Sequence, residues 1–119
     1  VSNLDRLYFV VCDFEEFLKE ELRFLSGLRS PRLNEAVGGS KSSDHMLGLA
    51  ADCSSDKITR DCKKIALEAW EESFFDDKRV RQMIYYPKKK FIHVSVNNDV
   101  VPYKHELLRC VGKQYFKEG

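Results

Sequence analysis

Between residues 4 and 22 apolar side chains return every three or four positions, at Leu4, Leu7, Tyr8, Val11, Phe14, Leu18 and Leu22, with acids and lysines between them. That period predicts an amphipathic helix with one buried stripe. A second such stripe, Ile58, Cys62, Ile65, Ala66, Ala69 and Trp70, predicts another long helix. Ser54 or Ser55 would cap it, with Asp56 well placed in its first turn. Elsewhere the period shortens to two. In "FIHVSV", residues 91–96, Ile92, Val94 and Val96 alternate with Phe91, His93 and Ser95, so one face is wholly apolar and the other presents a histidine. "VRQMIYY" and "FIHVSV", joined by "PKKK", predict an antiparallel hairpin.

The remaining stretches fill in the order. "RFLSGLRSP" is a short apolar run broken by Gly27 and Pro31, a strand leading into a turn. "PRLNEAV" reads as a short helix with Pro31 in its first turn, stopped by Gly38 and Gly39. "GGSKSS" has the composition of a loop, and "MLGLAADC" is short and apolar enough for a buried strand. The tail, with "DVVPY" and "RCVGKQYF", is expected to add extended edge structure. Helix, strand, helix, strand, helix, hairpin predicts an α+β fold, an antiparallel sheet with helices packed on one side.

Composition narrows the class. A chain of 119 residues with 43% apolar side chains can bury one core, so a single domain over 1–119 is expected. Twenty basic against 19 acidic side chains give a net charge of +1, no footprint for nucleic acid. Lys88, Lys89 and Lys90 form the only basic run and are expected to be a solvated hairpin tip. No apolar run approaches the roughly 20 residues of a transmembrane helix. The chain begins at Val1, not methionine, which leaves room for an upstream segment. Cys12, Cys53, Cys62 and Cys110 show no C-x-x-C pairing and are expected to be reduced.

Candidate chemistry centres on "SSDHMLGLAAD", residues 42–52, where His45 and Asp52 stand seven positions apart. On one straight strand they would point to opposite faces, so sharing a metal requires a bend after His45, which Gly48 permits. Beyond it, Gly48, Ala50 and Asp52 would share one face, and Leu47, Leu49 and Ala51 the other, the core face. His93 adds a second imidazole on a half-buried strand. A lone histidine there is more often structural than a ligand. Two histidines and a carboxylate together suit a catalytic zinc ion, which takes three protein ligands and leaves a fourth position open. His105, in a charged stretch expected to be exposed, is left out of the set.

"SDHMLGLAAD" matches S-x-H-x-x-G-x-A-x-D and so resembles the zinc motif of the D-alanyl-D-alanine peptidases, peptidase M15. "SGLRSPRLNEAVGGSKSSDH" is similar to the segment that precedes it in small murein endopeptidases and phage lysins of that family, and "FIHVSV" to the strand carrying their last zinc ligand. The resemblance spans Ser26 to Val96 and implies a hedgehog/DD-peptidase type of fold. It also implies one Zn2+ held by His45, Asp52 and His93. The substrates it implies are peptidoglycan stem or cross-link peptides, met in the periplasm, outside the cell or through a phage, by a protein expected to be a monomer. Arg29 stands where the family places an arginine able to fork onto a substrate carboxylate, and Ser43 matches the motif serine. The implied chemistry is metal-assisted hydrolysis.

The acid/base residue is not at its usual place. Many members carry an acid three residues before the final histidine, where this chain has Lys90; at the end of the preceding strand it has Tyr85 and Tyr86, and two residues after the histidine Ser95. A charged lysine cannot accept a proton, and tyrosine, with an ordinary pKa of about 10, is a poor base at neutral pH. Two readings follow, beside a third of another class, a plain structural domain whose histidines are coincidental. The first is an active enzyme whose base is Asp44 or an acid of "EESFFDD"; the second is a weakly active or inactive zinc-containing cell-wall-binding module or virion component.

Overall fold

The N-terminal period does form a helix, but one that stops before the apolar spacing does. The computed structural model describes residues 3–26 and 49–118. Its first element is α1, Asn3–Leu18. Lys19 takes a left-handed φ of 57° while its N–H still reaches the Glu15 carbonyl, which turns the chain out of the helix. The Glu15 carboxylate accepts the Leu22 N–H at 2.7 Å, so Leu22 is buried beyond the helix instead of within it. Leu7, Val10, Val11, Phe14 and Leu18 form the buried stripe, while Leu4 and Tyr8, expected on it, face solvent.

The expected second long helix is broken. Ser55 caps α2, Asp56–Arg60, by accepting the Ile58 N–H. At Asp61 the backbone leaves the helical region (φ −154°, ψ 80°), and its carboxylate caps a new helix, α3, Cys62–Ala69, through the Lys64 N–H. Aspartate is a mediocre interior residue and a strong N-cap, so residue 61 begins a helix instead of extending one. Helix α3 then runs into a π-helical turn, Trp70–Phe74. The expected stripe survives the break: Ile58, Cys62, Ala66, Ala69 and Trp70 are buried and Ile65 is partly so.

The described residues supply six strands: β1 Arg23–Ser26, β2 Ala50–Ser54, β3 Val80–Tyr86, β4 Phe91–Val96, β5 Glu106–Val111 and β6 Gln114–Lys117. They form one sheet in the spatial order β1-β2-β4-β3-β5-β6. Four pairings are antiparallel, but β3 and β5 run parallel. The sheet is therefore mixed, which corrects the expectation of an antiparallel one. The cause is the path after β4. Val96 lies opposite Val80, so β4 ends where β3 begins, and "DVVPY" forms no strand but stays at that end before β5 enters beside Gln82. Asn97 pins this connection, donating to the Lys78 and Lys104 carbonyls and accepting from the Lys104 N–H. "RCVGKQYF" becomes the β5–β6 hairpin, with Gly112 at φ 62° in its turn.

The described helices pack on one face of this sheet. Ala51, Cys53, Met83, Tyr85, Ile92, Val94, Val96 and Leu107 share a buried cluster with the stripes of α1, α2 and α3. Phe14 of α1 meets Phe74 edge-on at 5.6 Å between ring centres. At roughly 25 cal/mol per Å², such burial is the main term holding sheet to helices. All four cysteines are free, and the Cys53, Cys62 and Cys110 thiols donate to the Ile92, Phe91 and Gly112 carbonyls. No helix among the described residues is long and apolar enough to cross a membrane. The expected "PRLNEAV" helix, the "GGSKSS" loop and the Gly48 bend lie outside the described residues.

Candidate metal centre

Strand alternation leaves the second sheet face to the residues between the core positions. Register pairs Asp52 with His93, His93 with Ile84, and Ile84 with Leu108, so these four side chains form one row across β2, β4, β3 and β5. The row on one side holds Ala50, Ser95, Gln82 and Glu106; on the other side Phe91 faces Tyr86. "FIHVSV" thus divides as its alternation requires: Ile92, Val94 and Val96 go to the helices, Phe91, His93 and Ser95 to this face.

Asp52 and His93 meet there. His93 Nδ1 and Asp52 Oδ1 are 2.8 Å apart, and the side chains are 12% and 23% exposed, half-sheltered yet open to a small ligand. A carboxylate only accepts, so in this pairing the imidazole proton sits on Nδ1. Two atoms bound to one zinc at about 2.0–2.2 Å cannot lie more than about 4.4 Å apart. The observed separation lies within that limit, but an Nδ1 that carries the proton binds no metal, so a zinc ion between these two atoms would have to displace that proton and replace the hydrogen bond. Among the described residues no group of three histidine, cysteine or acidic side chains gathers as a metal site. His45, like Arg29, Ser43 and Asp44, lies outside the described residues.

The surroundings sort the acid/base candidates. "EESFFDD" lies on the far side of the sheet: Trp70 and Phe74 enter the helical core, Glu72 lines a groove with Asp13 and Glu16 of α1, and Asp77 pairs with Arg79. It supplies nothing to this face. Glu106 shares the face but is two strands from His93, about 10 Å at the usual interstrand spacing, and accepts from Gln82 at 2.7 Å. Lys90 sits in the β3–β4 turn with φ 60°. Tyr85 is buried on the core side, its hydroxyl donating to Glu118 at 2.6 Å. Tyr86 is on the site face, diagonal to His93, a relation that spans about 7–8 Å. Burial first, then a hydrogen bond with Tyr115, push its phenol well above the usual range, so it stays protonated.

His105 belongs elsewhere, as expected, though it is half-buried and not exposed. Its ring stacks on Trp70 at 4.5 Å, with Nδ1 and Nε2 each 2.8 Å from the Val80 and Phe75 carbonyls. Alternation in the sequence places His93 off the core face; it does not by itself reveal the Tyr86–Phe91 stack beside the Asp52–His93 pair, with ring centres 4.2 Å apart, for which the pairing of "MIYY" with "FIHV" is the signal.

A family model described as Peptidase M15 matches residues 4–95, from α1 through His93 in β4. No curated protein and no solved structure matches the chain.

Proposed function

Because the chain belongs to the peptidase M15 family, we propose that it is a zinc-dependent hydrolase of peptidoglycan stem or cross-link peptides, with a fold of the hedgehog/DD-peptidase type. The observation that carries the reading is the meeting of Asp52 and His93 at 2.8 Å on paired strands inside the matched region. In this reading Asp52, His93 and His45 would hold one Zn2+, which when bound supplies Lewis acidity toward carbonyl and water oxygens. Arg29 binds a substrate carboxylate through its guanidinium fork, assisted by Ser43. Buried Ala50, Ile84 and Ser95 around the pair limit access of bulk water. Hydrolysis also needs a group that takes a proton from water and returns it to the leaving amine. With "EESFFDD" on the helical side, this reading retains Asp44 for that role.

Lys90, where the resemblance expects an acid, favours the second reading, a zinc-containing wall-binding module with little hydrolytic power. One experiment tests both: metal content and release of peptides from purified murein, for the wild type, His45→Ala, Asp52→Asn, His93→Ala, Asp44→Asn and His105→Ala. The first reading expects zinc to be lost in the three ligand variants and kept in the other two. It expects peptide release to be lost wherever zinc is lost, to fall about 10²- to 10⁴-fold in Asp44→Asn, and to persist in His105→Ala. Zinc bound without release by the wild type selects the second reading. Equal metal loading in every variant overturns both.

A further inference from the structure

Charge on this nearly neutral chain is unevenly placed. Residues 56–64 carry four basic and two acidic side chains and residues 88–90 three lysines, a net of five positive charges on twelve positions. The whole chain is +1, so the remainder is net −4. The fold brings these two stretches together. Cys62 Sγ lies 3.5 Å from the Phe91 carbonyl, and Ser54 Oγ lies 3.4 Å from Thr59 Oγ1 while donating to the Lys90 carbonyl at 2.8 Å. The two acids of the first stretch are engaged: Asp56 pairs with Arg23, and Asp61 caps α3. Lys88, Lys89 and Lys90 are exposed, and among the described residues no carboxylate pairs with them.

This basic end is fixed relative to the candidate centre. Lys90 donates its N–H to the Tyr86 carbonyl at 2.7 Å and is held through its own carbonyl by Ser54, two residues beyond Asp52 on β2. The tip begins three residues before His93, about 10 Å along an extended strand, or about three residues of an extended peptide. The stacked Tyr86–Phe91 pair lies between, offering an uncharged aromatic surface.

From this juxtaposition we propose that the β3–β4 tip, with Lys88 and Lys89 at its head, is a carboxylate-binding subsite that draws the acidic part of a wall peptide across Tyr86 and Phe91 toward Asp52 and His93. This rests on the peptidoglycan reading above. A subsite of solvent-exposed lysines acts through modest, salt-screened attraction, so it sets preference among substrates and not the chemistry.

The test is co-sedimentation with purified murein freed of phosphate polymers, native or with its carboxyl groups converted to neutral amides, together with peptide release from the native material. The wild type at low salt is expected to bind native murein about fivefold more tightly than amidated murein, and to lose that preference in 0.5 M salt. The double variant Lys88→Gln/Lys89→Gln, altered only at exposed positions, should lose more than half of that preference, the remainder belonging to Arg29. A preference undiminished in the double variant, or absent from the wild type while peptides are still released, overturns this subsite and leaves the peptidase reading standing. Preference that appears only when phosphate polymers are left on the murein overturns the choice of carboxylate. A wild type that neither binds nor cuts murein removes both proposals.

Discussion

The two faces of β4 are set by alternate residues of six, yet they obey different physics. Ile92, Val94 and Val96 are at most 1% exposed and join the helices in one apolar cluster. Phe91, His93 and Ser95 point the other way, into a face carrying Asp52, Gln82, Glu106 and Tyr86. The first face is tolerant of chemistry and intolerant of volume or charge, because its stability comes from burial. On the second, Ala50 and Ser95 are as buried as the core, so what sets it apart is its intolerance of lost donor atoms. A strand can thus hold the fold with one set of positions and offer ligands with the other, one residue apart.

The largest break in this comparison comes from placing charge on the wrong side. Val94→Asp buries an unpaired carboxylate and is expected to cost about 4 kcal/mol or more, whereas His93→Ala next to it should shift a urea midpoint by less than a quarter as much while abolishing zinc retention. Equilibrium unfolding of both variants checks the contrast, and comparable destabilisation would show that the two faces are not energetically distinct. Tyr85 and Tyr86 give a finer version. Tyr85→Phe removes a buried hydroxyl that donates to Glu118 and should cost about 1 kcal/mol, while Tyr86→Phe should cost less than half of that.

A pH titration separates the faces less strongly. Burial first of all pushes the Cys62 thiol up to about 11 from 9.0. The native state then holds this proton where the unfolded chain has released it. The resulting stability is complete below about pH 9 and declines as pH rises toward about 11. Cys62→Ser should flatten that decline in alkaline unfolding curves, and an unchanged curve would assign it to other groups. The smallest expected effect is at the hairpin tip, where Lys90 holds φ 60°. Lys90→Gly relieves a left-handed non-glycine residue and should raise stability by about 0.5 kcal/mol or leave it unchanged; a loss of 1 kcal/mol would mean that the lysine side chain itself secures the turn.

Much of this layout could be read from residue spacing. The "VRQMIYY"/"FIHVSV" hairpin, the buried stripe from Ile58 to Trp70 and the core face of β4 follow from periods of 2 and 3.6, which burial enforces. Asp52 opposite His93 was legible only as a requirement that the two converge, since register between distant strands is fixed by packing and not by local sequence. The helix break at Asp61 was missed because an apolar stripe can continue through a capping residue. The parallel β5 was missed because nothing in "ELLRCV" encodes direction; the 97–105 connection, pinned by Asn97, decides it.

The family match ends at residue 95, within β4, so β5 and β6 lie beyond it. Were β5 removed, β3 would become the sheet's rim, with the unpaired amides and carbonyls of Gln82 to Tyr85 beside buried Met83 and Tyr85. A rim that apolar invites the strand of another molecule. The C-terminal hairpin covers that rim, so a chain cut after Val96 is expected to oligomerise with rising concentration even with its Asp52–His93 pair undisturbed.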